Sequence, residues 1–304
     1  MIVVGKFLNF TEIRTKITST FTFVMTIAFL IYRGYSIDWR LTLVFFAAML
    51  LFDLTTTAIN NYIDSKTNEQ ALEFKRRTAR MLIYGMLIIS ISLGLYLAYS
   101  TDIVVLIAGG ICFICGVGYT YGPLPLSRQP LGEVFSGFFY GIMIPFILMY
   151  INMPKGAFIA YQLSFTSLSL EVQILPFFIL FLFGITPFCV TANIMLANNV
   201  CDLNNDITVK RYTLPYYIEK KKALFLFAGL YYCTYISTFI MVILKILSPV
   251  CLLTVLTVIP VQKNINKFIE KQEKSTTFIY SIKNFVIIMG TNAILIFLSI
   301  VLNV

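Results

Sequence analysis

The sequence predicts an all-α fold, a polytopic membrane protein whose chain crosses the bilayer as nine helices. Three observations predict it. Of 304 residues, 59% are hydrophobic and 12% charged, whereas a soluble domain is about 25% charged. Apolar runs recur along the whole length, many near the ~20 residues that span a hydrocarbon core. These runs are continuous rather than alternating, and in lipid that selects helices over barrel strands. No polar segment is long enough to fold alone, so residues 1–304 read as a single transmembrane domain.

The spans follow in order. The first, 17–35, comes after Lys6, Arg14 and Lys16, as a signal peptide would. No small-residue cleavage site follows it, only "IYRGYSIDWR", so it reads as a retained helix. Span 41–59 runs into the polar stretch "NNYIDSKTN". Spans 81–100, 102–122 and 133–152 follow a basic cluster, and 173–196 runs into "NNVCDLNND". Spans 223–244, 246–262 and 284–302 complete the nine. With the N-terminus in the cytoplasm, only Arg33, Arg40, Lys155 and Lys245 face outside, and the other 19 of the 23 Lys and Arg face inside. This asymmetry orients the chain in a cell membrane, with its C-terminus outside. The net charge of +9 is therefore topology plus attraction to an anionic lipid leaflet, and requires no nucleic acid.

Histidine is absent, which removes the usual proton shuttle and the commonest zinc ligand. Of the six cysteines, Cys112 and Cys115 have the C-x-x-C spacing of redox and metal sites. Inside an apolar run they read as small hydrophobes. Chemistry in this chain falls to carboxylates, tyrosines, bases or a bound ion.

Two stretches share the pattern Asn-Asn-x-x-Asp-x-x-x-Asn/Asp, 138 residues apart and both at the cytoplasmic end of a span. If each helix continues into its motif, Asn60, Asp64 and Asn68 lie at i, i+4, i+8, as do Asn198, Asp202 and Asp206, and each set shares a face. Asn61 completes the first motif. Carboxylates one turn apart repel unless a cation lies between them, and Mg²⁺ suits one or two carboxylates plus substrate phosphate oxygens. Bases flank both motifs: Lys75, Arg76 and Arg77 after the first, Lys210 and Arg211 after the second. Acids for metal beside bases for phosphate are the arrangement a diphosphate ligand requires. Asp53 lies seven residues before Asn60. It is expected to face the cavity and support the site, the alternative being neutralisation by a neighbouring helix.

These residues resemble the UbiA-type membrane prenyltransferases, whose first motif reads N-D-x-x-D-x-x-x-D and whose second reads D-x-x-x-D. Asn60 and Asp64 match the first, with Asn61 and Asn68 where Asp is usual. Asp202 and Asp206 match the second, Cys201 replaces a common Arg, and "RYTLP" resembles the usual continuation. "YTYGPLPLSRQPLGEVFSG", Tyr119 to Gly137, and "TEIRTKI", Thr11 to Ile17, are similar to segments of the 1,4-dihydroxy-2-naphthoate prenyltransferases.

The resemblance implies helices around a central cavity open to the cytoplasmic side, with Mg²⁺ as cofactor. A polyprenyl diphosphate would be the donor and an aromatic ring the acceptor. The product would be a demethylmenaquinol, formed with loss of CO₂ and diphosphate. Asp64, Asp202 and Asp206 would hold metal with Asn60, Asn61, Asn68 and Asn198. Arg76, Arg77, Lys210 and Arg211 would bind diphosphate. Tyr119 and Tyr121 would flank the allylic cation, and Arg14, Lys16 or Arg128 would take the acceptor's carboxylate. With three motif carboxylates where the family often has more, a second ion is expected to bind weakly until the donor adds its charge. The alternatives are another acceptor on the same fold (4-hydroxybenzoate, haem or a lipid) and, from a different class, a secondary transporter.

Overall fold

Long uninterrupted apolar runs become long helices because a backbone in lipid has no other partner for its N–H and C=O groups. The computed structural model describes residues 2–67, 71–121, 126–164 and 166–302. Asn68 of the first motif lies outside them. Among the described residues, seven helices are long and apolar enough to cross a membrane, and one more, Ile103–Tyr119, is apolar but shorter. The chain is a multi-pass membrane protein. It divides into two compact units, Met1–Thr20 with Asp38–Arg128, and Phe21–Ile37 with Gln129–Val304.

The first unit contains α1 (Ile2–Phe10), a 3₁₀ turn (Ile13–Lys16) and the start of α2 (Ile17–Tyr32). It continues with α3 (Trp39–Thr67), α4 (Arg76–Ser100) and α5 (Ile103–Thr120). Phe10, Leu54, Ala58, Ala79, Ile83 and Met86 form its buried cluster, joining α1, α3 and α4. The Asp102 side chain caps α5 by accepting from Val104 N at 2.9 Å, and so satisfies one of the orphan donors of the first turn. At 29 residues, α3 is about 43 Å long, against a hydrocarbon core of about 30 Å. The surplus carries Asn60, Asn61 and Asp64 on its last turns.

The second unit holds the rest of α2, then α6 (Gly132–Phe138), a π-helical turn (Phe139–Met143) and α7 (Ile144–Asn152). A hairpin follows, β1 (Ile159–Leu163) with β2 (Leu168–Val172). Next come α8 (Ile174–Thr208), α9 (Leu214–Ile218) and α10 (Lys220–Ile243). A 3₁₀ segment (Pro249–Thr257), α11 (Val258–Glu270) and α12 (Ile279–Val301) end the chain. Its core gathers Leu180, Phe183, Leu196, Phe227, Tyr231, Phe268, Phe285 and Met289. Phe227 and Phe268 stack with ring centroids 4.5 Å apart. Polar groups tie helices together here: Asn193 Nδ2 donates to Phe227 O at 2.9 Å and Ser237 Oγ to Leu182 O at 2.7 Å, the glue expected where lipid supplies no hydrophobic drive between helices.

Two places depart from the expected spans. The interval 153–172, expected as a plain connection, pairs as an antiparallel hairpin in the register Ile159↔Val172 to Leu163↔Leu168. Its short alternation "IAYQL" and "LSLEV" is a period-2 signal that a search for long apolar runs passes over. The expected span 246–262 is instead the 3₁₀ segment and the beginning of α11. Ser248 Oγ accepts from Val250 N and Pro249 opens the segment. In α11, Val261, Ile265 and Phe268 are buried while Lys263, Lys267 and Glu270 are exposed, an amphipathic helix rather than an apolar one.

Gly141 lies in the π-helical turn against α8. A Cβ there would meet Phe188 N at 2.4 Å and Phe188 Cα at 2.5 Å, and a Cβ on Gly184 would meet Gly141 O at 2.7 Å. Backbone atoms cannot yield as a side-chain tip does. Gly141→Ala is therefore expected to destabilise the protein by about 1–3 kcal/mol, seen as a lower unfolding midpoint in detergent. An unchanged midpoint would show that this contact is not close-packed.

Candidate functional site

The second acidic motif is helical throughout within α8, and α3 carries the first as far as Thr67. In the first unit, Asn60, Asn61 and Asp64 are half-buried. Asn61 Nδ2 donates to Phe10 O and to Glu12 Oε1, both at 3.0 Å, and so ties α3 to the end of α1. This gives a physical reason for Asn at a position where the sequence pattern suggests Asp. A carboxylate at 61 would set acceptor against acceptor and charge against charge. Asn61→Asp is expected to lower stability by about 1–3 kcal/mol, read as a drop in the unfolding midpoint. If the midpoint holds, the amide's two bonds are not what the position requires.

Arg76 folds back onto the end of α3. Its Nη2 donates to Ser65 O at 3.3 Å, and its guanidinium sits 5.4 Å from the Tyr62 ring centroid. This base is therefore beside the first motif, one residue from Asp64 along the chain at Ser65. Arg77 is exposed, as are Arg14, Tyr121 and Arg128, and Tyr119 is half-buried.

Lys16 has a different environment. It is 4% exposed and its Nζ donates to Asp53 Oδ1 at 2.9 Å and to Thr57 Oγ1. Ser19 Oγ donates to Asp53 Oδ2 at 2.8 Å. Asp53 is thus neutralised by Lys16, the alternative to the cavity-facing role expected for it. The Lys16 ammonium is committed to it, which leaves Arg14 and Arg128 as the exposed bases among those considered for an acceptor carboxylate.

In the second unit, Asn199, Asp202 and Asp206 lie within an arc of about 60° on α8, with Asn198 about 40° beyond Asp202 on the other side. Asp206 is buried and Asn198 and Asp202 are half-buried. The helix ends in a Schellman turn: Arg211 N donates to Asp206 O at 2.8 Å and Lys210 N to Ile207 O at 3.1 Å. Lys210 occupies the left-handed position with φ 56°, the place glycine usually takes. The reversal returns Arg211 over its own helix, Nη1 3.8 Å from Asp206 Oδ1. Lys210 itself is exposed.

Three further residues join this site without having been singled out. Asn199 is 1% exposed and donates from Nδ2 to Glu133 Oε1 at 2.9 Å, with Glu133 4% exposed on α6. Lys274 Nζ pairs with Asp202 Oδ2. A signal for Asn199 existed, since it stands seven residues before Asp206 and shares its face. Glu133 lies in "LGEVFSG" but nothing in that stretch points to α8. Lys274 was one of many inside-facing bases.

Asp206 Oδ2, Asn199 Oδ1 and Glu133 Oε2 are buried with no hydrogen-bond partner, and buried acceptors of this kind need one. Among the described residues, no three His, Cys, Asp or Glu side chains gather as a metal cluster. A divalent ion at these carboxylates would therefore draw on amide oxygens and on oxygens of its ligand. The six cysteines are free thiols.

The sequence model of the UbiA prenyltransferase family matches residues 21–286. The 1,4-dihydroxy-2-naphthoate octaprenyltransferase of Bacillus subtilis (strain 168) is 26% identical over 225 residues, 70% of this chain and 66% of that protein's length. The chain thus spans about two thirds of the curated relative it matches. Among solved structures, digeranylgeranylglyceryl phosphate synthase superposes with a TM-score of 0.64 at 17% identity, over 98% of this chain and 99% of the other. A UbiA homolog from Archaeoglobus fulgidus bound to GPP and Mg²⁺ has a TM-score of 0.64 at 14% identity, over 97% and 99%. At these identities the likeness is one of fold.

Proposed function

Because the chain belongs to the UbiA prenyltransferase family, we propose that it transfers a polyprenyl group from polyprenyl diphosphate to 1,4-dihydroxy-2-naphthoate. The acceptor ring carbon forms the new C–C bond as the allylic C–O bond breaks. Diphosphate and CO₂ leave, and demethylmenaquinol is the product. The observation that carries the reading is the pair of Asn-Asn-x-x-Asp motifs, Asn60–Asp64 on α3 and Asn198–Asp202 on α8, each with a base folded back upon its helix end. The relative in Bacillus subtilis supports the choice of acceptor.

In this reading Asp64, Asp202 and Asp206 bind Mg²⁺, with Asn60, Asn61, Asn68 and Asn198 as amide-oxygen ligands. The first motif lacks the carboxylate of a usual Asp at 61 and 68, so the donor's diphosphate supplies part of the charge and part of the ligand shell. Bound Mg²⁺ would offset the negative charge that develops on the leaving diphosphate. Arg76, Arg77, Lys210 and Arg211 do the same through charge-assisted hydrogen bonds. Tyr119 and Tyr121 offer ring faces to the allylic cation, each worth about 0.5–2 kcal/mol. Arg14 or Arg128 holds the acceptor carboxylate, for which a planar guanidinium is suited. The apolar spans keep water from the cation. The site opens on the cytoplasmic side, where the excess of Lys and Arg is expected.

Purified protein incubated with polyprenyl diphosphate, 1,4-dihydroxy-2-naphthoate and Mg²⁺ should form demethylmenaquinol, and a chelator should stop it. Prenylation of 4-hydroxybenzoate or of a glycerol-phosphate lipid, with none of the naphthoate, would reassign the acceptor. Solute flux in proteoliposomes without any prenyl transfer would sink the enzyme reading altogether.

A further inference from the structure

We propose that Lys274 is a resident counter-ion of the second motif. Its ammonium holds Asp202 before metal arrives, yields that carboxylate to Mg²⁺ when the prenyl diphosphate binds, and then donates to the diphosphate. The proposal rests on Asp202 being a metal ligand, as proposed above.

The contact is specific. Lys274 lies 72 residues from Asp202 in sequence, in the segment between α11 and α12, and its Nζ meets Asp202 Oδ2. The neighbouring carboxylate, Glu273, already has a cation, with Lys271 Nζ 2.8 Å from its Oε1. The segment is closed on itself: Thr277 N and Phe278 N donate to Glu273 O at 2.9 and 3.1 Å, and Glu273 N donates to Thr277 Oγ1 at 2.8 Å. The backbone at Lys274 is thereby held in place while its side chain is 56% exposed against 18% for Asp202. A four-carbon stem can then move its ammonium without moving the chain.

Charge decides the sequence of events. An ammonium and Mg²⁺ compete for the same carboxylate oxygen and repel each other, so each weakens the other's hold on Asp202 Oδ2. An ion pair with one partner this exposed is weak, which makes Lys274 a placeholder that metal can displace. Asp206 Oδ2 and Asn199 Oδ1, buried on the same face of α8 with no hydrogen-bond partner, remain available to the incoming ion. Once displaced, the ammonium is next to a ligand of high negative charge, for which a lysine is a ready donor. With so few carboxylates, a resident cation also keeps Asp202 from standing uncompensated beside Asp206.

Lys274→Gln tests this on the full chain in detergent, with Mn²⁺ as the metal probe, read by its free-ion EPR signal, and geranyl diphosphate as the donor probe. Without donor, Lys274→Gln should bind Mn²⁺ about two- to fivefold more tightly, since the competitor is gone. With saturating Mg²⁺, geranyl diphosphate should bind roughly tenfold more weakly by calorimetry, and Lys274→Arg should keep most of that affinity. Failure of either change in Lys274→Gln overturns the proposal. Asp202→Asn separates this from the reading beneath it. If Asp202→Asn loses Mn²⁺ while Lys274→Gln is unaltered, Lys274 alone is misassigned. If Asp202→Asn binds Mn²⁺ as the wild type does, the metal assignment falls and the proposal with it. Because Lys274 is largely exposed, its variants should unfold at the wild-type midpoint.

Discussion

Asp202→Ala is expected to lower prenyl transfer by at least about 10²-fold, and Asp64→Ala to do the same independently. Each residue is one of only three motif carboxylates, so removing one takes away a third of the fixed negative charge assigned to the metal. The amides of Asn60, Asn61 and Asn198 can offer oxygens but no charge in compensation. Neither change should unfold the protein. Asp202 is half-buried and its partner, Lys274, is 56% exposed, and breaking such a pair alters stability by about 0–1 kcal/mol. Activity and unfolding midpoint measured on the same preparation distinguish chemistry from collapse. Near-normal turnover in either variant, with intact fold, would remove that carboxylate from the site.

The second large effect is on stability. Lys16→Ala removes from Asp53, 7% exposed, the ammonium that pairs with it at 2.9 Å. Breaking a buried pair by removing one partner costs about 3–5 kcal/mol, a large part of a typical folding free energy of about 5–15 kcal/mol. The reciprocal change, Asp53→Ala, should be comparably damaging because it strands the ammonium. The double replacement Lys16→Met/Asp53→Leu should recover most of the loss, since well-packed apolar pairs often equal or exceed buried ion pairs. Thermal unfolding of the four proteins ranks these effects. If the double variant is no better than either single one, the pair is needed for more than mutual neutralisation. Retained stability in Lys16→Ala would mean that Asp53 has no need of its partner.

The residues that were legible in the sequence are those whose information is local. Helical continuity through Asn60–Asp64 and Asn198–Asp206 follows from the absence of a breaker and from the i, i+4 spacing. The structure extends α3 through Asn60–Asp64 and α8 through Asn198–Asp206 as that spacing expects. The multi-pass architecture was legible for the same reason. The hairpin at Ile159–Val172 was not, because five-residue strands alternate too briefly to stand out against twenty-residue runs. At 246–262 the 3₁₀ segment ahead of α11 was not legible, because apolar composition alone does not distinguish a 3₁₀ turn from an α-helical one. Asp53 shows the same limit at a single residue. Its sequence position required a partner or a cavity, and Lys16 on a neighbouring helix decided between them.

By itself, then, the sequence determined that this chain is a bundle of membrane-crossing helices carrying two matched acidic helix ends flanked by bases. Periodicity, length and charge asymmetry are properties of neighbouring residues, and solvent and lipid act on them directly. Tertiary structure alone decided that Asn61 serves as a donor to Phe10 and Glu12, that Lys16 neutralises Asp53, that Glu133 holds Asn199, and that Lys274 reaches Asp202. Each of these pairs joins residues 37 to 72 positions apart. Which of many similar bases meets which carboxylate depends on how helices pack side by side, and that choice is made by shape and burial over the whole fold.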